Sequence, residues 1–141
     1  MKVRVICPVY PTEDDRVVSD AISSLIIGAK PTLRNDGLPR ELYFEGEGMD
    51  LLAELRSMIH NLRIIDTVKS RLILNWNGQE SFILLDKQAA TIKRLRLVDD
   101  SEETPPLGSI MVKLEFTSRL EFESVLSWLT PRTEDGRIVA D

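Results

Sequence analysis

The 141-residue chain has one cysteine, one histidine and few aromatic residues, 6% in all. A single thiol, Cys7, excludes an internal disulfide. In an apolar strand context it is expected to pack as a small core residue and not to act as a reactive group. With His60 the only imidazole, a zinc site would have to rest on carboxylates, which are not its usual ligands. No metal and no cofactor are expected. No apolar run approaches the ~20 residues that span a bilayer. The start, MKVRVICPVY, has no uninterrupted signal-peptide core. The expectation is a cytoplasmic protein with no membrane partner. There is no internal repeat or low-complexity segment, and no charge-segregated tail.

What is present suits an ordinary folded chain, with 43% hydrophobic and 29% charged residues. The length fits one domain, 1–141, with a real core. The formal net charge of −5 argues against a protein that coats nucleic acid through its overall field. A local basic patch remains compatible with it.

Hydrophobic periodicity orders the elements. Residues 2–9 alternate as a strand ended by Pro8 and Pro11. Thr12 is placed to cap a helix whose stripe is Val17, Val18, Ala21, Ile22, Leu25 and Ile26, stopped by Gly28 and Pro31. AKPTLRNDGLPR reads as a connection with room for a short strand, and Glu41–Glu45 as the next strand. Residues 49–74 carry a continuous helical stripe, as one long helix or two nearly continuous ones. Asn77-Gly78 signals a turn. Phe82–Leu85 follows as a strand, with Asp86 capping a short helix at Lys87–Thr91. Ser109–Thr117 alternates cleanly, and a last helix covers Ser118–Leu129. The alternation predicts a sheet with one buried and one more polar face. Without strict βαβ units, the fold class is α+β: an antiparallel or mixed sheet with helices packed on one side.

Catalytic groupings are sparse. Glu45/Glu47 and Glu102/Glu103 sit in turn-like segments where solvated carboxylates are expected. Glu45-Gly46-Glu47-Gly48 before a helix invites a phosphate-loop reading, but its acids repel phosphate and no Lys-Ser or Lys-Thr follows. His60 lies in a helix without a local nucleophile. No catalytic residue is assigned. An enzymatic reading would draw on Asp86, Lys87 and Arg132 assembled across a dimer.

The charge pattern at 87–103 is the remaining signal. Lys87, Lys93, Arg94 and Arg96 occur with no acid between Lys87 and Val98, and DDSEE follows. Lysine and arginine can take phosphate oxygens, Gln88 can hydrogen-bond a base edge or ribose, and Trp76 in a turn can stack on an unpaired base. The competing reading pairs these cations with the DDSEE acids.

PVYPTED at 8–14, GEG at 46–48, RIIDTVKS at 63–70, LDKQAA at 85–90, PPLGSI at 105–110 and WLTPRTEDG at 128–136 occur in an order that resembles an archaeal protein family. That family is labelled RNA-binding and has a fold resembling ribosomal large-subunit protein five. The resemblance spans nearly the whole chain. It implies an α+β fold, a homodimer, a cytosolic protein and a role near RNA processing or ribosomes. It supplies no reaction or catalytic residue. The family usually has asparagine where Asp86 stands; a carboxylate there serves a helix cap as well as asparagine does but weakens a phosphate contact. Together these readings give an expected non-catalytic RNA-binding protein whose site comprises Lys87, Gln88, Lys93, Arg94, Arg96 and Arg132. The alternative is a dimeric interaction or scaffold protein with no nucleic-acid ligand.

Overall fold

The computed structural model describes residues 1–98, 107–135 and 137–139. Lys2–Val9 (β1), Thr32–Arg34 (β2), Arg40–Glu47 (β3), Glu80–Asp86 (β4) and Ser109–Glu115 (β5) form one sheet in the order β2-β3-β1-β5-β4. Every pairing in it is antiparallel. The helices are Asp15–Leu25 (α1), Ala53–Asn61 (α2), Ile65–Leu74 (α3), Lys87–Thr91 (α4) and Arg119–Leu129 (α5). Thr133–Glu134 (β6) and Arg137–Ile138 (β7) pair as a separate short hairpin that the periodicity did not signal.

The sheet's two faces follow from the register. Val3, Val5, Cys7 and Val9 alternate inward, joined by Leu42, Ile83, Leu85, Ile110, Val112 and Leu114. Val18, Ile22 and Leu25 of α1, Leu55 and Ile59 of α2, Val68 and Leu72 of α3, and Phe122, Val125 and Leu129 of α5 enter the same core. Helices therefore cover one face, as an α+β sheet with a period-2 pattern requires. On the other face Arg4, Ile6, Tyr43, Phe82, Leu84, Met111 and Lys113 remain half-buried. Among the described residues no helix is long and apolar enough to cross a membrane.

One boundary differs from the sequence reading, and two others take a definite form. The first helix is capped by Asp14, whose carboxylate accepts from the Arg16 N–H at 2.9 Å, not by Thr12. Glu13 is turned back to the Tyr10 N–H and so stands outside the helix. The first strand covers the expected residues 2–9, and it passes through Pro8 to Val9 where that proline was expected to help end it. Pairing with β5 stops at Ile6–Met111, so proline's missing N–H breaks no ladder on that side. The 49–74 stripe divides into a 3₁₀ turn at Met49–Leu52 followed by α2 and α3. Arg63, at φ 57°, separates the two helices: the Ile64 N–H reaches Ile59 O and the Arg63 N–H reaches His60 O. That bond pair is a Schellman closure.

Candidate nucleic-acid interface

Asp86 ends β4 and starts α4. One of its oxygens accepts from the Gln88 and Ala89 N–H groups, at 2.9 and 3.2 Å, and the other meets Arg96 Nη1 at 2.9 Å. Partial burial opposes ionisation of this carboxyl. The Ala89 N–H, the Arg96 guanidinium and the Gln88 N–H outweigh it and hold Asp86 below its ordinary value. Asp86 thus serves as a helix cap and an arginine anchor.

Lys87, the next residue, turns inward and is only 1% exposed. Its ammonium donates to Pro8 O at 2.6 Å, to Glu13 Oε1 at 2.9 Å and to the Leu107 carbonyl. It also lies 5.4 Å from the Tyr10 ring centre. All three donor protons are used, which is the condition under which a charge is tolerated in an interior. Lys87 was expected among the RNA-contacting residues, and this burial corrects that expectation. The period-2 register of β4, carried one residue past its end, puts residue 87 on the core side with Ile83 and Leu85. Cys7 lies in the same core, and burial raises its thiol to about 12, against the opposing charge of Lys87. It stays protonated and unreactive at neutral pH.

Past α4 the chain closes with a second Schellman turn. The Arg94 N–H reaches Ala89 O at 2.9 Å and the Lys93 N–H reaches Ala90 O at 3.0 Å. Lys93 occupies the left-handed position of that turn, at φ 58°. Glycine is usual there, because a Cβ costs roughly 1–2 kcal/mol. Gln88, Lys93 and Arg94 are exposed, and neither Lys93 nor Arg94 forms an ion pair with a described residue. The acids at 99–103, which the competing reading set against them, lie outside the described residues. Arg96 is exposed and bound to Asp86. Its chain segment also closes part of the free edge of β4, through Asp86 N–H to Arg96 O and Val98 N–H to Leu84 O.

Lys93 and Arg94 border an open groove of about 460 Å³ with Met58, Asn61, Leu62 and Leu95. Lys93 also borders a smaller groove, about 200 Å³, between α1 and α4. Sequence reasoning missed Met58, Asn61 and Leu62, because nothing in the chain order signals that the end of α2 meets the end of α4. Arg132 is exposed but lines neither groove. It follows α5, in a segment tied to α3 by Thr133 Oγ1 donating to Asp66 at 2.6 Å. Trp76, a candidate stacking residue, is used internally: its ring lies 4.0 Å from that of Phe122 and 5.7 Å from that of Phe116. His60 hydrogen-bonds Leu129 O at 2.9 Å and joins α2 to α5. Glu45, Gly46 and Glu47 lie in β3 and not in the expected turn; a Cβ at Gly46 would meet Leu51 and Phe44 at 2.8 Å, so this glycine serves close packing. Among the described residues no cluster of three His, Cys, Asp or Glu could hold a metal ion.

Fold and surface thus define an α+β protein with a one-sided antiparallel sheet and a small cationic rim beside α4. No family model matches the chain. It is 32% identical over 136 residues to a UPF0201 protein of Saccharolobus islandicus, covering 96% of this chain and 91% of the relative. The chain belongs to the archaeal UPF0201 family. A longer Archaeoglobus fulgidus relative, named "UPF0200/UPF0201 protein", is 28% identical over all of this chain and 41% of its own length. The crystal structure of a UPF0201 protein from Methanococcus jannaschii shares the fold, with a TM-score of 0.83 at 23% identity over 99% of this chain and all of the other. None of these names states an activity.

Proposed function

We propose that this protein is a non-catalytic RNA-binding protein that takes phosphates on the rim formed by Gln88, Lys93 and Arg94. Arg96 and Arg132 are outlying contacts. The observation that carries the reading is Lys93 and Arg94 themselves: two adjacent exposed cations without a described carboxylate partner, in a protein of net charge −5. The left-handed backbone of Lys93 adds to it, since a strained lysine is kept where glycine would close the turn more easily. Lys87 supports the rim from inside by pinning the start of α4 to the β1–α1 loop. A role near ribosomes or RNA processing is an extension of the same reading.

Titration of total cellular RNA by fluorescence anisotropy at two salt concentrations tests it. Replacing Lys93 and Arg94 by alanine is expected to weaken binding and to lower the salt slope by about 1 per lost phosphate contact. Unchanged affinity overturns the site.

A second reading, self-association or protein scaffolding, is favoured by the open sheet face. Tyr43, Ile6, Met111 and Leu84 form one half-buried cross-strand row with Phe82 beside it. The Archaeoglobus relative, which joins a second family name to this one, favours a protein partner as well. Sedimentation separates this reading from the first: a homodimer that Met111→Glu splits supports it, and a wild-type monomer that retains no protein after nuclease treatment removes it.

A further inference from the structure

We infer that the groove between the end of α2 and the end of α4 receives one unstacked base of single-stranded RNA, with Lys93 and Arg94 taking the flanking phosphates. This rests on the RNA-binding reading and goes further, to single strands over duplex. Met58, Leu62 and Leu95 form an apolar floor, on which Leu62 is 50% exposed and Leu95 is 9% exposed. Asn61, on the same wall, is exposed and its side-chain amide makes no hydrogen bond to a described residue. None of the six lining residues is acidic. Asp20, which lines the neighbouring groove with Lys93, is not ion-paired to it.

The chemistry matches a nucleotide in three respects. A base is a flat apolar body with a polar edge, and the methionine sulfur and leucine side chains favour its face. The asparagine amide offers both a donor and an acceptor to that edge. Two adjacent cations at the mouth suit the phosphates on either side of an extruded base. A duplex keeps its bases stacked and presents none to such a groove, whereas single strands splay bases onto apolar platforms. An acidic peptide would satisfy the cations equally. As a helix it would need anchors at i, i+3 or i+4 and i+7, longer than a floor of three side chains.

The test compares a single-stranded oligouridine of about 12 nucleotides with a duplex RNA of that length, within the usual range of single-strand site sizes. Asn61→Ala and Leu62→Ser change exposed positions, and thermal melts verify that each variant is folded. The single strand is expected to bind about tenfold or more tighter than the duplex. Each groove variant is expected to lose about 3- to 10-fold in single-strand affinity with an unchanged salt slope, while Lys93→Ala lowers the slope by about 1. Equal affinity for both RNAs, or a single-strand preference untouched by Asn61→Ala and Leu62→Ser, overturns the groove but leaves the phosphate-reading rim standing. Retention of polyglutamate as tight as that of RNA overturns it in favour of an acidic peptide. No RNA binding at low salt overturns both proposals.

Discussion

Cations on the open sheet face and cations after α4 are the same residue types in opposite electrostatic situations. On the sheet, the register sets each against a carboxylate: Arg4 meets Glu45 at 2.9 Å and Glu115 at 3.2 Å, Lys113 meets Glu80 at 3.0 Å, and Arg34 meets Glu41 at 3.9 Å. Arg34 also lies over the Tyr43 ring. That face is a self-neutralising lattice around an apolar row. After α4, Lys93 and Arg94 form no ion pair with a described residue, and the proposed phosphate rim rests on that difference. Charge density in the sequence is therefore a poor guide to a binding surface; what matters is whether the fold delivers an acid to each base.

The buried cation provides the sharpest contrast. Lys87→Ala leaves the Glu13 carboxylate with only the Tyr10 N–H and takes a donor from two carbonyls, and breaking such a buried pair is expected to cost about 3–5 kcal/mol. Urea unfolding should show a much lower midpoint, and a loss below about 1 kcal/mol would mean that the site hydrates easily. Next in size is the comparison itself. Lys93→Ala with Arg94→Ala should weaken RNA binding about 30-fold or more, at about 1–1.5 kcal/mol for each of the two contacts. Arg4→Gln with Lys113→Gln should leave RNA affinity unchanged. An equal loss from both pairs would erase the distinction between the two surfaces.

Lys93→Gly separates stability from binding. Releasing the left-handed strain should stabilise the fold by up to about 1 kcal/mol while RNA affinity falls. A destabilised Lys93→Gly protein would show that the lysine stem packs for the fold's benefit. An effect of similar size is expected at Asp86. Its carboxyl titrates below its unfolded value, so its contribution is full above about pH 4 and is lost as pH falls through the lower, folded value. Asp86→Ala should cost about 1 kcal/mol at neutral pH as a lost cap. It should also flatten the acid limb of the stability profile, read by thermal melts between pH 2 and 6. An unchanged limb would assign that limb to other carboxylates.

Much of the fold was legible because period-2 and period-3.6 patterns are local. Val3, Val5 and Cys7 alternate inward whatever lies across from them, and Asp86 before Lys-Gln-Ala-Ala marks a cap. The helix start was misplaced to Thr12 because Glu13 is claimed by Tyr10 and by Lys87, a partner distant in the chain. The short β6–β7 hairpin has too few residues for a period to register. The site was legible only as a run of charge. That Lys87 goes inside, that Arg132 lies apart, that Trp76 packs on Phe116 and Phe122, and that α2 supplies Met58, Asn61 and Leu62 are all consequences of chain crossings.

By itself the sequence determined the order of the main elements, the inward face of the strands, the α+β class and the presence of cations between Lys87 and Arg96. Those features follow from side-chain periodicity and capping, which act over a few residues. Only the tertiary structure decided which cations are neutralised, which is buried and which stand at a groove. Coulomb and desolvation energies depend on distance in space and on exclusion of water, and neither is written in the spacing along the chain.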